Sequence, residues 1–171
     1  DSFLQPNDVV GLVGGEEMVA ACEYGFVEYL LTRAHPEHHL KFRCLAWEGD
    51  TVYEQRRDLN YPTIQQQLDK IGATVVIAQF GLMECLGGSA RLADFTAQYE
   101  QLLQKWSAGG KRRIWVVLPK GPQWDSRCDT QIVSPESRFA SFLDYAAASR
   151  ALAGRWQSPA SAGRVAIKDA N

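Results

Sequence analysis

The stretch Asp8-Val9-Val10-Gly11-Leu12-Val13-Gly14-Gly15-Glu16 limits the possible folds more than any other part of the chain. Apolar residues and glycine follow one another without polar alternation and stop at a glycine pair. A run of this kind reads as a strand buried on both faces. Between Cys22 and Ala34 the pattern turns helical, with Phe26, Val27, Leu30, Leu31 and Ala34 on one face, and Pro36 closes it. A buried strand, a glycine turn and a helix form the opening half of a βαβ unit, whose ligands sit beyond the C-terminal ends of the strands.

The same alternation continues. His39 to Trp47 predicts a second strand, with Leu40, Phe42, Cys44 and Ala46 alternating. Pro62 marks a helix start, Ile64, Leu68 and Ile71 follow at helical spacing, and Gly72 ends that helix. Ala73 to Phe80 is a third, strongly buried strand stopped by Gly81. Leu92, Phe95, Tyr99, Leu102, Leu103 and Trp106 form a helical stripe ended by Gly109-Gly110. Ile114 to Leu118 reads as a fourth strand. A long loop carries Trp124, Asp125, Arg127 and Cys128. Pro135 opens a helix with Phe139, Phe142, Leu143 and Ala146 inward, and Arg164 to Lys168 reads as a last strand. The expected architecture is α/β, a three-layer α/β/α flavodoxin-like fold. Its parallel sheet has about five strands in the order 2-1-3-4-5, with right-handed crossovers, in one domain over residues 1–171.

A chain of 171 residues can bury a sizeable core, and 46% apolar with 22% charged residues is a globular balance. A net charge of −2 gives no pull toward nucleic acid or anionic lipid. No apolar run reaches the roughly 20 residues of a membrane span. The chain opens at Asp1 rather than Met, as a processed product would. Cys22, Cys44, Cys85 and Cys128 include no CxxC pair, which argues against a zinc site of common spacing, and no cofactor is expected.

In such a sheet every strand ends on the same side. The tips are Gly14-Gly15-Glu16, Trp47-Glu48-Gly49-Asp50, Gly81-Leu82-Met83-Glu84 and Pro119-Lys120-Gly121. Glycine tips with exposed N–H groups could form an oxyanion hole. Together with Tyr24-Gly25-Phe26, the block Phe42 to Val52 around Trp47-Glu48-Gly49-Asp50, and Phe80-Gly81-Leu82-Met83-Glu84, they resemble the SGNH (GDSL-type) hydrolases, esterases of flavodoxin-like fold. The resemblance covers about residues 8–169. It places the nucleophile position on Glu16, the oxyanion glycine on Gly49 and the oxyanion asparagine on Met83. It also implies an Asp-x-x-His block after the last strand, which these residues do not contain. Of the four named family residues only Gly49 is kept.

No other residue restores the missing groups. His35, His38 and His39 fall between the first helix and the second strand, at the opposite edge of the sheet from the tips, more than ~15 Å from Glu16. Ser126 and Thr51 mimic a Gly-Asp-Ser block but follow the wrong strands. The tips do gather carboxylates: Glu16, Glu17, Glu48, Asp50, Glu84 and Asp125. These could cap helix N-termini, hold a hard cation or a polar ligand, or work as acid and base. Convergence of Glu16, Glu48 or Asp50, and Glu84 on one cleft should raise at least one pKa through mutual repulsion. Trp106 and Trp115 read as core, whereas Trp47 and Trp124 could line a groove.

The binding-cleft candidates are therefore Gly15, Glu16, Trp47, Glu48, Gly49, Asp50, Gly81, Glu84 and Trp124, with no metal expected. The first functional reading is a catalytically degenerate SGNH-like domain that binds or scaffolds, within a larger assembly, with a protein, a polar small molecule or a sugar as partner. The alternative is an active esterase or carbohydrate esterase whose remaining block lies beyond this chain. The expected location is extracytoplasmic, periplasmic or secreted. In that setting Cys85 and Cys128 at the upper edge are the pair that would bridge, with buried free thiols the favoured alternative, while Cys44 is expected to be buried and unpaired.

Overall fold

The computed structural model describes residues 3–121 and 135–156. Four strands form one parallel sheet: β1 (Val9–Gly14), β2 (Lys41–Cys44), β3 (Val75–Gln79) and β4 (Arg113–Val117), ordered β2-β1-β3-β4. Val10 lies beside Phe42 on one side and Val75 on the other, and Val76 beside Ile114. The order matches expectation for the described strands. The strand expected at 164–168 lies outside the described residues.

Alternation within the buried strands sorts side chains to two faces. Val10, Leu12, Val75 and Ile77 face a layer made by α1 (Glu16–Glu23) and α2 (Phe26–Ala34), which contribute Met18, Val27 and Leu31. Val13, Val76, Ala78, Ile114 and Val116 face α3 (Ile64–Lys70), α4 (Leu92–Ser107) and α5 (Pro135–Trp156), with Leu68, Phe95, Tyr99, Leu103, Trp106 and Tyr145 between. Strands apolar on both sides need helices on both sides, which is why their sequences show no polar alternation.

Local structure departs from the sequence reading in several places. The helix expected over 22–34 is two helices. The first starts at the β1 tip, and the chain breaks at Tyr24-Gly25, where Gly25 takes the left-handed conformation (φ +63) that glycine adopts without steric cost. β2 is shorter than expected because His39 is itself left-handed and cannot extend the strand. Thr63, not Pro62, opens α3: its side chain accepts from the Gln66 N–H while Gln66 reaches back to the Thr63 N–H, a reciprocal capping box. On α5 the buried stripe runs Phe142, Tyr145, Ser149, Leu152, with Ala146 half-buried. Phe139 and Leu143, expected inward, are exposed because the stripe follows the i, i+3, i+7 positions from Phe142.

The cysteines also differ. Cys44 is not buried and unpaired; it is joined to Cys22, with the two Cα atoms 6.2 Å apart. Cys22 lies in the last turn of α1 and Cys44 at the end of β2, so the bond ties the first helix to the second strand. Cys85 is a buried free thiol, so the Cys85–Cys128 bridge is not formed. Burial pushes its pKa up to about 11, which makes it unreactive.

Candidate functional site

The site is built where three strand tips meet. After β1 the backbone must pass very close to its neighbours. A Cβ on Gly14 would lie 2.6 Å from the Gln79 carbonyl oxygen, and one on Gly15 would lie 2.7 Å from that of Asp50. Both distances are shorter than real Cβ atoms tolerate, so the glycine pair is required by close approach. α1 then begins at Glu16, and its first turn carries Glu16 and Glu17.

The Glu16 carboxylate Oε1 accepts a hydrogen bond from the Gly49 N–H at 2.9 Å. Gly49 (φ +80) presents that N–H from the tip following β2. Glu84, buried at the start of a 3₁₀ turn (Glu84–Gly87), accepts from the Val52 N–H and the Gly81 N–H, both at 2.8 Å. It thus stitches the second tip to the third. Glu17 Oε1 accepts from the Lys120 N–H at 2.9 Å, joining the first tip to the fourth. Glu16, Glu17 and Glu84 each accept from a backbone donor that belongs to another strand tip.

Gly15, Glu16, Glu17, Asp50, Gly81, Met83 and Glu84 line one cleft, with Gln79, Phe80 and Leu82. The free space inside is about 10 Å³, roughly one water. Asp50 lines the cleft with its charge already paired. Both of its oxygens are held by Arg57 at 2.7 and 2.8 Å, in a pair with both side chains buried. Glu48 does not join the cleft. It is exposed, beside Trp47, on a separate hollow of about 350 Å³. Trp47 is half-exposed, stacks on Tyr61 with centroids 5.5 Å apart, and carries the Arg57 guanidinium 4.4 Å from its centroid. Trp124 lies outside the described residues. Met83 is part-exposed on the cleft rim and offers no N–H donor from its side chain.

The electrostatics follow from burial. Glu17 is raised from 4.5 to about 7, chiefly by burial, with the Lys120 N–H and charge opposing and the Glu16 and Glu84 charges adding a little. Glu84 is raised mainly by burial too, against its backbone donors. The expected cause, mutual repulsion, is therefore only a minor one. Among the described residues, no group of three or more His, Cys, Asp or Glu side chains could hold a metal ion. His35 and His38 stack on each other at the lower edge, where the His38 carbonyl accepts from the Asn7 N–H ahead of β1. β1 alone spans about 17 Å between that edge and the tips.

Sequence reasoning missed Arg57 and the importance of Glu17. Arg57 sits in a loop with no periodicity to mark it. Glu17 was visible as a tip carboxylate, but its backbone donor, the Lys120 N–H, lies 103 residues away.

No protein-family profile matches the sequence, and no curated protein matches it. Its likeness is to solved structures. A gut microbial diltiazem-metabolizing enzyme superposes with TM-score 0.65 at 13% identity, over 98% of this chain and 38% of its own. A GDSL-like lipase from Parabacteroides merdae gives TM-score 0.58 at 13% identity, over 89% and 75%. The psychrotrophic esterase EstA from Pseudoalteromonas gives 0.57 at 12%, over 93% and 76%. The chain spans little more than a third of the first of these and about three quarters of the other two. With the parallel sheet, the glycine tips and these neighbours together, the chain has an SGNH-hydrolase-like fold.

Proposed function

We propose that this chain is a catalytically degenerate SGNH-hydrolase-like domain whose cleft is closed to acyl chemistry and whose role is binding or scaffolding. One observation carries the reading: the Glu16 carboxylate sits on the Gly49 N–H. On the family resemblance, Gly49 is the donor that would stabilise a developing oxyanion, and Glu16 stands where the nucleophile would be. A carboxylate oxygen at 2.9 Å takes up that donor in the resting fold, so the residue at the nucleophile position also fills the oxyanion position. A carboxylate attacking an ester would in any case give an anhydride rather than a stable acyl-enzyme. The half-exposed Trp47–Tyr61 stack is the surface best suited to a polar small molecule or a sugar ring. An extracytoplasmic location is supported by the Cys22–Cys44 disulfide, since such bonds persist in oxidising compartments.

One observation favours the alternative, an active hydrolase completed by residues outside this chain. Glu17 lines the cleft and titrates near neutrality, as a general acid or base would. A single assay separates the two. Wild type, Glu16→Ala and Glu17→Gln are offered short acyl esters and acetylated sugars. All three are expected to stay at background. Turnover well above background that Glu16→Ala or Glu17→Gln abolishes would overturn the degenerate reading.

A further inference from the structure

The short helix α2 is apolar on two faces. Val27 and Leu31 pack against the sheet, while Phe26, Tyr29 and Leu30 point outward and are each more than half exposed, as is Tyr24 just before the helix. The outward side chains form one ridge. Tyr24 and Phe26 are in ring contact at 5.8 Å, Leu30 stands one turn beyond Phe26, and Arg33 closes the far end, donating to the Tyr29 hydroxyl. Solvent-facing helix surfaces are ordinarily polar, so a contiguous ridge of this kind marks an interaction surface. Its base is rigid, because the Cys22–Cys44 bond ties the end of the preceding helix to β2 immediately before the ridge begins.

From this ridge we infer that α2 is a self-association surface, and that its occupant is α2 of a second copy of this chain in antiparallel register. The charge pattern selects that partner. The ridge has an aromatic pair at one end and its only cation, Arg33, at the other. A two-fold axis through Tyr29 and Leu30 sets each Arg33 over the other copy's Tyr24–Phe26 rings, a cation–π contact at both ends, while the apolar centres meet. A lipid surface fits less well, because the flanking charges include Glu23, Glu28 and Glu37 and the chain is net negative. The ridge is small beside the ~800 Å² per partner of a standard interface, so the association is weak and concentration-dependent. It does not depend on the reading of the cleft, which is built from the strand tips and not from α2.

Sedimentation velocity of the full chain over a wide concentration range tests it. The weight-average mass is expected to climb from monomer toward dimer. Leu30→Glu should hold the chain monomeric throughout, and Arg33→Glu should weaken the dimer several-fold, with unchanged circular dichroism because both side chains are exposed. Leu59→Glu, at an apolar residue 93% exposed and away from α2, should dimerise like wild type. A chain that stays monomeric at every concentration, or a dimer that survives Leu30→Glu, would overturn the proposal. Mass lost equally in Leu59→Glu would also overturn it, by showing non-specific association.

Discussion

Glu84, buried, and Glu17, half-buried, show how differently two carboxylates can behave in one cleft. Glu84 satisfies two backbone donors from separate loops. Removing it leaves both N–H groups without a partner, and each stranded buried donor costs about 1–3 kcal/mol. Glu84→Ala is therefore expected to lower the unfolding free energy by about 2–4 kcal/mol in denaturant titration, and Glu84→Gln by less, since its amide oxygen can still accept. Among the described residues Glu17 accepts from the Lys120 N–H alone, and its pKa rises from 4.5 to about 7. The fold thus favours the protonated form. That contribution is complete below pH 4.5, where the unfolded chain is protonated too, and is lost as pH rises through about 7. Glu17→Gln keeps an acceptor without the charge. Its melting temperature should exceed that of wild type at pH 8, and the advantage should disappear by pH 4; equal melting temperatures at pH 8 would contradict the assignment. The sequence showed that acids crowd the tips. It could not show which donors each acid would meet, because residues such as Val52 and Lys120 arrive from other strand tips.

Among elements, the legible ones are those whose burial is two-sided or whose stripe is long. β1 and β3 announce themselves by unbroken apolar runs, and α4 by a stripe from Phe95 to Trp106. The region between β1 and β2 was misread because Gly25 breaks a pattern that hydrophobic spacing alone carries straight through. Cys22 belongs to the helix that starts at Glu16, which the sequence reading did not place, so the disulfide was hidden with it. The bond closes a loop of sequence separation 22, and a cross-link of that span stabilises by about 3 kcal/mol in the chain-entropy account. Cys44→Ser should lose about that much stability to chemical denaturation. Reductant should lower wild type to the same level and leave the variant unchanged; wild type indifferent to reductant would count against the bond.

For the whole molecule, the parallel order of the described strands was readable from alternation, and so was the distance between histidine and tip. What stayed hidden is that the tips are sewn together by acids rather than left open. Introducing a hydroxyl by Glu16→Ser would free the Gly49 N–H but supply no base, since the described histidines lie at the other edge of the sheet. The variant is expected to show no burst of acyl-enzyme with activated esters, and an appreciable burst would mean a base reaches the tips from elsewhere. An ordinary catalytic centre holds donors in readiness for a charge that is absent most of the time, and proteins carrying such unmet donors are less stable for it. Here Glu16 meets the donor within the resting fold. Selection on thermal robustness alone would keep this geometry intact, because the contact between Glu16 and Gly49 holds two strand tips together whatever the cleft is used for.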